Sequence, residues 1–303
     1  MKRSRASYSG LRSFLFVPGN HPRKVEKVFT VGADAIILDL EDAVAITEKP
    51  ATRQVVVAAL QPARQCRGYI RINAIDTPFW RDDLSSVIGS HLDGIVLPKV
   101  ESAETLLEVD ALITGREQAL GIDPGSIDLM PIVETARGVE NSMSIATACP
   151  RVRRLSFGGG DYTLDLDYRW EADEQVLAYA RAKLSHASRI AQLEPPIDTV
   201  VLQIREHDRF TASAERGRAF GFGGKLCIHP DQVALTHTVF SPSDEEVAHA
   251  RAVIDAFERA EAEGSASIQL NGYFIDYPIV DKARRIVALT ERLSAASTER
   301  NSP

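Results

Sequence analysis

Two short apolar runs, each followed by a carboxylate, lie in residues 128–161, DLMPIVETARGVENSMSIATACPRVRRLSFGGGD. The first run leads to Glu134, and the second leads through three glycines to Asp161. Continuous apolar runs of this length are typical of parallel strands that are buried on both faces. Because neighbouring parallel strands end at the same edge of a sheet, we expect the two carboxylates about one strand spacing apart. The stretch predicts an α/β fold with acidic groups at that edge.

Runs of this kind recur along the chain and alternate with longer amphipathic stretches. The eight predicted strands are Phe14–Val17, Ala35–Leu40, Tyr69–Ile72, Gly94–Leu97, Leu129–Val133, Arg154–Phe157, Thr199–Leu202 and Lys225–Ile228. Eight β–α repeats of this size predict a (β/α)₈ TIM barrel. A doubly wound sheet is the alternative, but eight parallel strands in one sheet are unusual for it, and no G-x-G-x-x-G motif follows the first run.

The amphipathic stretch SAETLLEVDALITG, residues 102–115, predicts a helix with a recognisable start. Ser102 is expected to cap its N-terminus, because a serine oxygen can accept one of the free N–H groups there. Leu106, Leu107 and Leu112 are expected to face the sheet.

A segment that the barrel does not need follows the eighth repeat. Asn271 and Gly272 predict a tight turn in it, and an amphipathic helix comes next. We therefore predict a TIM-barrel catalytic domain in residues 1–240 and a C-terminal helix and lid extension in residues 241–303. The extension is expected to cover a barrel mouth or to pack on a neighbouring subunit.

The composition is that of an ordinary globular protein, with 44% hydrophobic and 25% charged residues among 303. The net charge of −7 argues against a nucleic-acid or anionic-membrane partner. The apolar run FLFVP near the start is too short to span a membrane. The three cysteines, Cys66, Cys149 and Cys227, match no zinc or redox spacing. This cysteine usage favours a reducing, cytoplasmic location.

Side chains at the carboxyl ends of the strands carry the chemistry of a TIM barrel. Polar or charged residues lie at or just beyond the carboxyl ends of nearly all predicted strands: Asp39, Glu41, Asp42, Arg71, Asn73, Lys99, Glu134, Asp161 and His229. Scattered charges would not favour one end of the strands. The clustering therefore predicts the functional site at that end.

Glu134 and Asp161 are the candidate ligands of a divalent cation. A hard cation such as Mg²⁺ takes oxygen ligands and leaves its remaining positions to water and substrate. Taken alone, Glu134 also fits a helix N-terminal carboxylate, and Asp161 also fits a loop cap. Their paired placement favours the metal site.

Arg71 is the candidate ligand for a substrate carboxylate, because a guanidinium can hold a carboxylate with two nitrogens. In an empty site it would pair with Asp39 or Glu41, and a buried structural ion pair is the alternative. Lys99 either binds a substrate oxygen or neutralises the acidic cluster, and we favour the second role. His229, which precedes a proline, fits an orienting residue better than a base.

Motifs from about residue 12 to about residue 290 match one known family in the expected order. They include RSFLFVPGNHPRKVEK, GADAIILDLEDAV, GIVLPKVES, PIVETARGVEN, GGGD, GRAFGFGGKLCIHPDQV and NGYFIDYPIVDKARRI. On these motifs the chain resembles the citrate lyase β-subunit-like family, within the wider HpcH/HpaI group of malyl-CoA and citramalyl-CoA lyases. The resemblance is specific for fold and reaction type and less so for the substrate.

The resemblance implies a Mg²⁺-dependent barrel that makes or breaks a C–C bond in a 3-hydroxyacyl-CoA thioester, with acetyl-CoA and a 2-keto acid as the two halves. It implies that Glu134 and Asp161 hold the metal, with Glu134 also facing the substrate. It further implies that Arg71 binds the keto acid and takes part in catalysis. Asp39 and Asp42 would line the metal site and the substrate.

Two segments outside these strand ends also acquire roles from the resemblance. The PGNHPRKVEK segment resembles the part that meets the CoA phosphates, which implies a role for Lys27 and with it Arg23. The GYFIDYP segment resembles a lid whose aspartate, Asp276, acts as general acid/base on a neighbouring subunit. That implies a homotrimer or a multiple of one. Asp276 also fits a helix N-cap, because it directly precedes YPIVDKARRIV.

The glycine run in GGGD and the following DYTLDLDYRWE depart from the pattern that the family often shows. Both lie beside the expected substrate, so the substrate stays open among citramalyl-CoA, which we favour, malyl-CoA, methylmalyl-CoA and citryl thioesters. Two other functions remain as alternatives. One is a CoA-independent 2-keto acid aldolase, and the other is a complex-bound citrate lyase β subunit that uses an acyl-carrier-protein thioester.

Overall fold

The computed structural model describes residues 10–301 of the chain. Its main sheet consists of β1 (Ser13–Pro18), β2 (Ala35–Asp39), β3 (Arg67–Arg71), β4 (Gly94–Leu97), β5 (Asp128–Val133), β6 (Ser156–Phe157), β7 (Ile197–Asp198) and β8 (Gly224–Cys227). The strands are parallel and follow one another in chain order, and β8 pairs with β1 to close a barrel. The predicted TIM barrel is confirmed, and a doubly wound sheet is excluded.

The register of the first three strands brings the candidate site residues to one level. Pro18 of β1 lies beside Asp39 of β2, and Asp39 lies beside Arg71 of β3. On the opposite side of the barrel, Val133 of β5 pairs with Phe157 of β6, so the residues that follow them leave the barrel at the same end. Buried apolar side chains such as those of Phe14 and Ile37 fill the barrel interior.

Helices separate the barrel strands along the chain, and further helices follow the eighth strand. They are α1 (Pro22–Val28), α2 (Lys49–Leu60), α3 (Trp80–Val87), α4 (Ala103–Leu120), α5 (Ala136–Glu140), α6 (Ser142–Thr147), α7 (Gly159–Asp165), α8 (Ala178–Ile190), α9 (His207–Ala219), α10 (Asp231–Phe240), α11 (Asp244–Ala262) and α12 (Tyr277–Asn301). Short 3₁₀ turns precede α2 and α8. Among residues 10–301, no helix is both long and apolar enough to cross a membrane.

The seventh strand lies earlier than predicted. The β-branched run Thr199–Leu202 was expected to form it, but β7 consists of Ile197 and Asp198 alone. Ile197 pairs with β6 and β8, whereas the chain beyond Asp198 has left the sheet and the Leu202 side chain is 59% exposed. An apolar run in a loop at the barrel end has the same composition as a strand, which explains the error.

Helix α4 begins as predicted but presents a different face to the barrel. The Ser102 side chain accepts the N–H of Thr105, which confirms the cap. Leu106 is fully buried, but Leu107 and Leu112 are 50% and 40% exposed, so the prediction that both face the sheet is wrong. Val109 and Ile113 are buried with Leu106 instead, which follows the three- and four-residue spacing of a helix face.

The chain divides into two compact units between His237 and Thr238. In the second unit, α11 and α12 pack around a small core with a two-stranded hairpin, β9 (Ile268–Leu270) and β10 (Tyr273–Ile275). The hairpin turns at Asn271 and Gly272, with φ of 51° and 83°, as the Asn-Gly pair predicts. The domains predicted as residues 1–240 and 241–303 remain predictions, because compactness does not show that either part folds alone.

Candidate active site

Arg71 and Asp39 form a two-armed ion pair at the carboxyl ends of β3 and β2. Nε of Arg71 donates to Oδ1 of Asp39, and Nη2 donates to Oδ2, each at 2.6 Å. The backbone N–H groups of Glu41 and Ala43 also donate to this carboxylate, at 3.0 and 3.1 Å. Burial alone would raise the pKa of Asp39, but Arg71 outweighs burial and the pKa lies below its usual value. Asp39 therefore stays ionised.

The remaining nitrogen of Arg71, Nη1, faces two further carboxylates. It lies 2.9 Å from Oε2 of Glu41 and 3.5 Å from Oδ2 of Asp42. The Glu41 side chain is 6% exposed and that of Asp42 is 57% exposed. Glu41 is therefore the closer partner of Nη1, and the expected roles of Asp39 and Asp42 toward the substrate stay predictions. The Phe16 ring centroid lies 4.9 Å from Cζ of Arg71 and covers the cation on another side.

Glu41 differs from Asp39 in its protonation. Burial, opposed by Arg71 and reinforced by repulsion from Asp42, raises the pKa of Glu41 to about 7. Nζ of Lys99 lies 3.4 Å from Oε1 of Glu41. Lys99 thus faces the acidic cluster, in keeping with the neutralising role that the sequence favoured.

Glu134 directly follows β5 and is 3% exposed. Its Oε1 accepts the backbone N–H of Lys99 at 2.8 Å. Lys99 presents this N–H from a left-handed backbone conformation, with φ of 52°, which is costly for a residue other than glycine and clusters at functional sites. Burial, reinforced by repulsion from Asp161, raises the pKa of Glu134 to about 8.

Gly158, at the end of β6, makes room for the Glu134 side chain. A β-carbon on residue 158 would lie 2.1 Å from Oε2 of Glu134. The run of three glycines therefore includes one position at which the neighbouring carboxylate requires glycine. Asp161 lies in the first turn of α7 rather than in a loop.

Glu134 and Asp161 fit a divalent cation by the chemistry of their donors. Repulsion from Asp161 contributes to the raised pKa of Glu134, and a cation bound by both carboxylates would offset that repulsion. Within residues 10–301, no group of three His, Cys, Asp or Glu side chains is arranged to hold a metal. Water and substrate would therefore supply the other ligands, which Mg²⁺ accepts because it keeps part of its hydration shell.

A cavity of about 450 Å³ opens between β1, α1 and the turn that follows β8. Its lining includes one aromatic ring and four residues with basic side chains: Phe16, Arg23, Lys24, Lys27 and His229. Arg23, Lys24 and Lys27 are all exposed on α1, where cations can reach phosphate groups. Phe16 lines this cavity and also contacts Arg71.

His229 and Asn73 both have hydrogen-bond partners within the protein. Nδ1 of His229 accepts the N–H of Asp231 at 3.3 Å, which fits the orienting role expected from the sequence. Asn73 is 1% exposed, and its Nδ2 donates to the carbonyl of Leu40 at 3.0 Å and to Oδ2 of Asp83 at 2.7 Å. Neither contact points to a reacting group.

Asp276 directly precedes α12 in the second unit and is half-buried. Its Oδ1 accepts the N–H of Ile279 at 3.4 Å, and its carbonyl oxygen accepts the N–H of Val280 at 3.0 Å. Asp276 therefore occupies the N-cap position that the sequence left as an alternative. The neighbouring rings of Tyr273 and Phe274 are 73% and 67% exposed. The role of Asp276 in proton transfer stays a prediction.

Three residues of the site were not among those named from the sequence. Phe16 contacts Arg71, Gly158 faces Glu134, and Lys49 lies buried beneath the loop after β2. Phe16 and Gly158 look like ordinary strand residues in the sequence. Lys49 begins a helix, and only its spacing from Arg53 on the same face of α2 would have drawn attention to it.

Comparisons with known proteins agree with this architecture. The family model for HpcH/HpaI aldolase/citrate lyase matches residues 12–230. The citrate lyase subunit beta of Leuconostoc mesenteroides subsp. cremoris is 36% identical over 292 residues, covering 96% of each chain. The L-malyl-CoA/beta-methylmalyl-CoA lyase of Cereibacter sphaeroides (strain ATCC 17025 / ATH 2.4.3) is 34% identical, covering 94% of this chain and 96% of that one.

One similar solved structure contains bound ligands. It is that of the protein CitE from Mycobacterium tuberculosis in complex with magnesium, acetoacetate and coenzyme A. It superposes with a TM-score of 0.78 at 29% identity and covers 95% of this chain and 100% of that one. The similarity therefore includes the barrel and most of the C-terminal segment.

Proposed function

The chain belongs to the HpcH/HpaI aldolase/citrate lyase family, and we propose that it is a Mg²⁺-dependent carbon–carbon lyase that acts on a 3-hydroxyacyl-CoA thioester. The products are acetyl-CoA and a 2-keto acid. Citramalyl-CoA, which would release pyruvate, is the favoured substrate, and malyl-CoA and citryl thioesters are the closest competitors.

The position of Phe16 supports this proposal best. One side of its ring covers Arg71, the candidate carboxylate ligand. The residue also lines the cavity that carries Arg23, Lys24 and Lys27. A molecule with a carboxylate at one end and phosphates at the other would use both places, with an apolar section passing Phe16. A CoA thioester of a hydroxy acid has this form, whereas a free keto acid would leave the basic cavity unused.

Arg71 can receive a substrate carboxylate without losing its orientation. Its Nε and Nη2 stay with Asp39, while Nη1 is held only by Glu41 and the exposed Asp42. A substrate carboxylate can replace these partners at Nη1. Because the pKa of Glu41 is raised to about 7, this group can become neutral near physiological pH and reduce the repulsion of the incoming anion.

Glu134 and Asp161 would hold Mg²⁺. When bound, the metal supplies a Lewis acid that stabilises negative charge on the substrate's oxygen. Gly158 and the N–H of Lys99 fix the orientation of the Glu134 carboxylate toward this role.

Cleavage needs one proton removed and one delivered. The 3-hydroxyl proton passes to water at the mouth as the C–C bond breaks, and the bonding electrons enter the thioester enolate. The enolate carbon then takes the proton that Asp276 carries on its lid. The keto acid leaves from Arg71. Because the thioester already stabilises the carbanion, no lysine needs to form a Schiff base.

Two further parts of the proposal concern assembly and location. The lid would close on the site of a neighbouring copy in a homotrimer or a multiple of one, and the exposed rings of Tyr273 and Phe274 supply apolar surface for such a contact. The reaction would take place in the cytoplasm, a reducing compartment that suits the reduced thiols of Cys66, Cys149 and Cys227.

A screen of thioesters tests the proposal. Purified protein with Mg²⁺ is offered citramalyl-CoA, malyl-CoA, methylmalyl-CoA and citryl-CoA, and released pyruvate, glyoxylate or oxaloacetate is measured. The same acids without CoA, and the acids on acyl-carrier protein, form the comparison arms. We expect turnover of a CoA thioester. Turnover of free acids alone would establish a CoA-independent aldolase, and turnover only on the carrier would establish a complex-bound subunit.

A further inference from the structure

Lys49 is a buried cation directly behind the acidic loop that follows β2. It is 7% exposed. Its Nζ donates to the carbonyl oxygen of Leu40 at 2.9 Å, to that of Glu41 at 2.6 Å, and to Oδ1 of Asn73 at 2.6 Å. An ammonium group has three N–H donors, so these three contacts use its full capacity.

Asn73 carries the network deeper into the protein. Its backbone N–H and Nδ2 both donate to Oδ2 of Asp83, at 3.0 and 2.7 Å. Nε of Arg53 donates to the other oxygen of Asp83 at 2.7 Å. Lys49 and Arg53 lie four residues apart on α2 and therefore share one face of the helix. The network anchors one helix to the loops after β2 and β3.

The two anchored loops directly follow Asp39 and Arg71, the two residues of the ion pair. Leu40 directly follows Asp39, and Asn73 follows Arg71 by two residues. The N–H of Leu40 donates to the carbonyl oxygen of Arg71 at 2.9 Å, while the Leu40 carbonyl is held by Lys49 and Asn73. Lys49 therefore holds the backbone of the loop after β2 and, through Asn73, the loop after β3.

We propose that Lys49 is a positioning residue for the keto-acid site, which acts by fixing the Arg71 guanidinium relative to Asp39 and Glu41. The inference rests on the proposed function of Arg71 and adds a residue that touches neither substrate nor metal. Lys49 contacts neither Glu134 nor Asp161 in this network, and those residues follow other strands. Loss of Lys49 should therefore impair keto-acid binding and leave metal binding in place.

Lys49→Met tests this separation, because methionine fills a similar volume without the charge. The measurements are the dissociation constants of Mg²⁺ and of pyruvate in the presence of Mg²⁺, the kinetics of thioester cleavage, and the thermal midpoint. We expect pyruvate affinity to fall about tenfold or more, as for other residues that orient ligands from behind. Mg²⁺ affinity should change by less than about twofold, which is the difference expected for an unconnected site.

A double-mutant cycle with Arg71→Lys distinguishes positioning from a general loss of stability. If Lys49 acts through Arg71, Lys49→Met should have little further effect on pyruvate affinity once Arg71 is lysine. Lys183→Met is the matched control, because Lys183 lies on the surface of α8 and pairs with Glu140. This control should keep the wild-type constants.

Unchanged pyruvate affinity and kinetics in folded Lys49→Met would overturn the inference, even if the thermal midpoint falls. Additive losses with Arg71→Lys would also overturn it. If Lys49→Met does not fold, Asn73→Ala provides the test, because it removes one acceptor of Lys49. This variant should also lower the affinity for pyruvate. An unchanged pyruvate affinity in Asn73→Ala would reject the inference. A wild-type protein without lyase activity would instead overturn the proposed function, and this inference with it.

Discussion

The backbone at Gly158 approaches the Glu134 carboxylate so closely that a β-carbon on residue 158 would lie 2.1 Å from Oε2 of Glu134. No real β-carbon contact is that short, so a larger residue would displace the carboxylate. The end of β6 thus sets the position of the candidate metal ligand that follows β5. A β-carbon on residue 160, two residues later, would lie 3.9 Å from the Trp170 ring, which is an ordinary van der Waals contact.

Gly158→Ala should therefore weaken Mg²⁺ binding, and Gly160→Ala should not. We expect a loss of about tenfold or more in Mg²⁺ affinity for Gly158→Ala, the scale on which residues behind a metal ligand act. Gly160→Ala, inside α7, should keep the affinity and stabilise the fold by ~0.4–1 kcal/mol. Titration calorimetry measures both. Equal affinity in the two variants would show that Glu134 does not bind the metal.

Mg²⁺ affinity should increase as the pH rises toward about 8, the value to which burial and Asp161 raise the pKa of Glu134. A carboxylate must lose its proton to bind a cation, so proton and metal compete. Above that pH the affinity should level off. Calorimetric titrations with Mg²⁺ across this range provide the measurement, and a pH-independent affinity below the raised pKa would contradict the assignment.

The stability of the metal-free protein should change in the opposite direction. The pKa of Glu134 is about 8 in the folded protein against 4.5 for an unperturbed group, so the folded state holds this proton more tightly. The bound proton stabilises the folded state fully below pH 4.5, and this contribution to the unfolding free energy is lost as the pH rises through about 8. Glu134→Gln should remove this part of the slope of unfolding free energy with pH, measured in chelator. An unchanged slope would argue against the raised pKa.

Arg71→Lys should mainly weaken the binding of the keto acid. Lysine keeps the charge but cannot hold Asp39 with two nitrogens while offering a third to the substrate. We expect a loss of about 2 kcal/mol, or roughly 30-fold, in pyruvate affinity, at the lower end for a buried charged pair because the charge remains. Arg81→Lys, on the surface of α3 with a side chain 59% exposed, is the control. An unchanged affinity in Arg71→Lys would make the Arg71 pair purely structural.

Asp276→Asn should separate the two roles of that residue. Asparagine caps a helix about as well as aspartate, so the thermal midpoint should stay close to that of the wild type. It cannot carry the proton for the enolate, so turnover should fall by about 10²-fold or more while Mg²⁺ and thioester still bind. Steady-state kinetics and binding titrations check both parts. Full activity of this variant would reject the catalytic role.

Mixing inactive Asp276→Asn with inactive Glu134→Gln tests whether the lid acts on a neighbouring subunit. In mixed oligomers, some sites combine an intact metal site from one chain with an intact lid from another. These sites should restore part of the activity. Mixed oligomers that form and remain inactive would confine each lid to its own chain.

The barrel and the acidic mouth could be predicted from the sequence because their signals are local. A buried parallel strand is a continuous apolar run, and a polar residue at its carboxyl end or directly after it lies at the mouth, as Arg71 and Glu134 do. The seventh strand could not be placed, because two residues, Ile197 and Asp198, leave too short a run to compete with Thr199–Leu202.

The supporting residues could not be predicted, because their roles depend on contacts between distant segments. Lys49 reads as an ordinary residue at the start of a helix, and its three acceptors come from two different loops. The role of Gly158 is visible only when the Glu134 carboxylate is in place beside it. Such contacts depend on how neighbouring strands and loops are aligned. A single sequence does not specify which side chains lie opposite each other in that alignment.

Cleavage of citramalyl-CoA by the purified wild-type protein, with pyruvate and acetyl-CoA measured together, tests the central claim most directly. The account predicts that both products appear in equal amounts with Mg²⁺, that exhaustive chelation abolishes them, and that added Mg²⁺ restores them. Release of pyruvate at the same rate in chelator, or from citramalate without CoA, would contradict a metal-dependent thioester lyase.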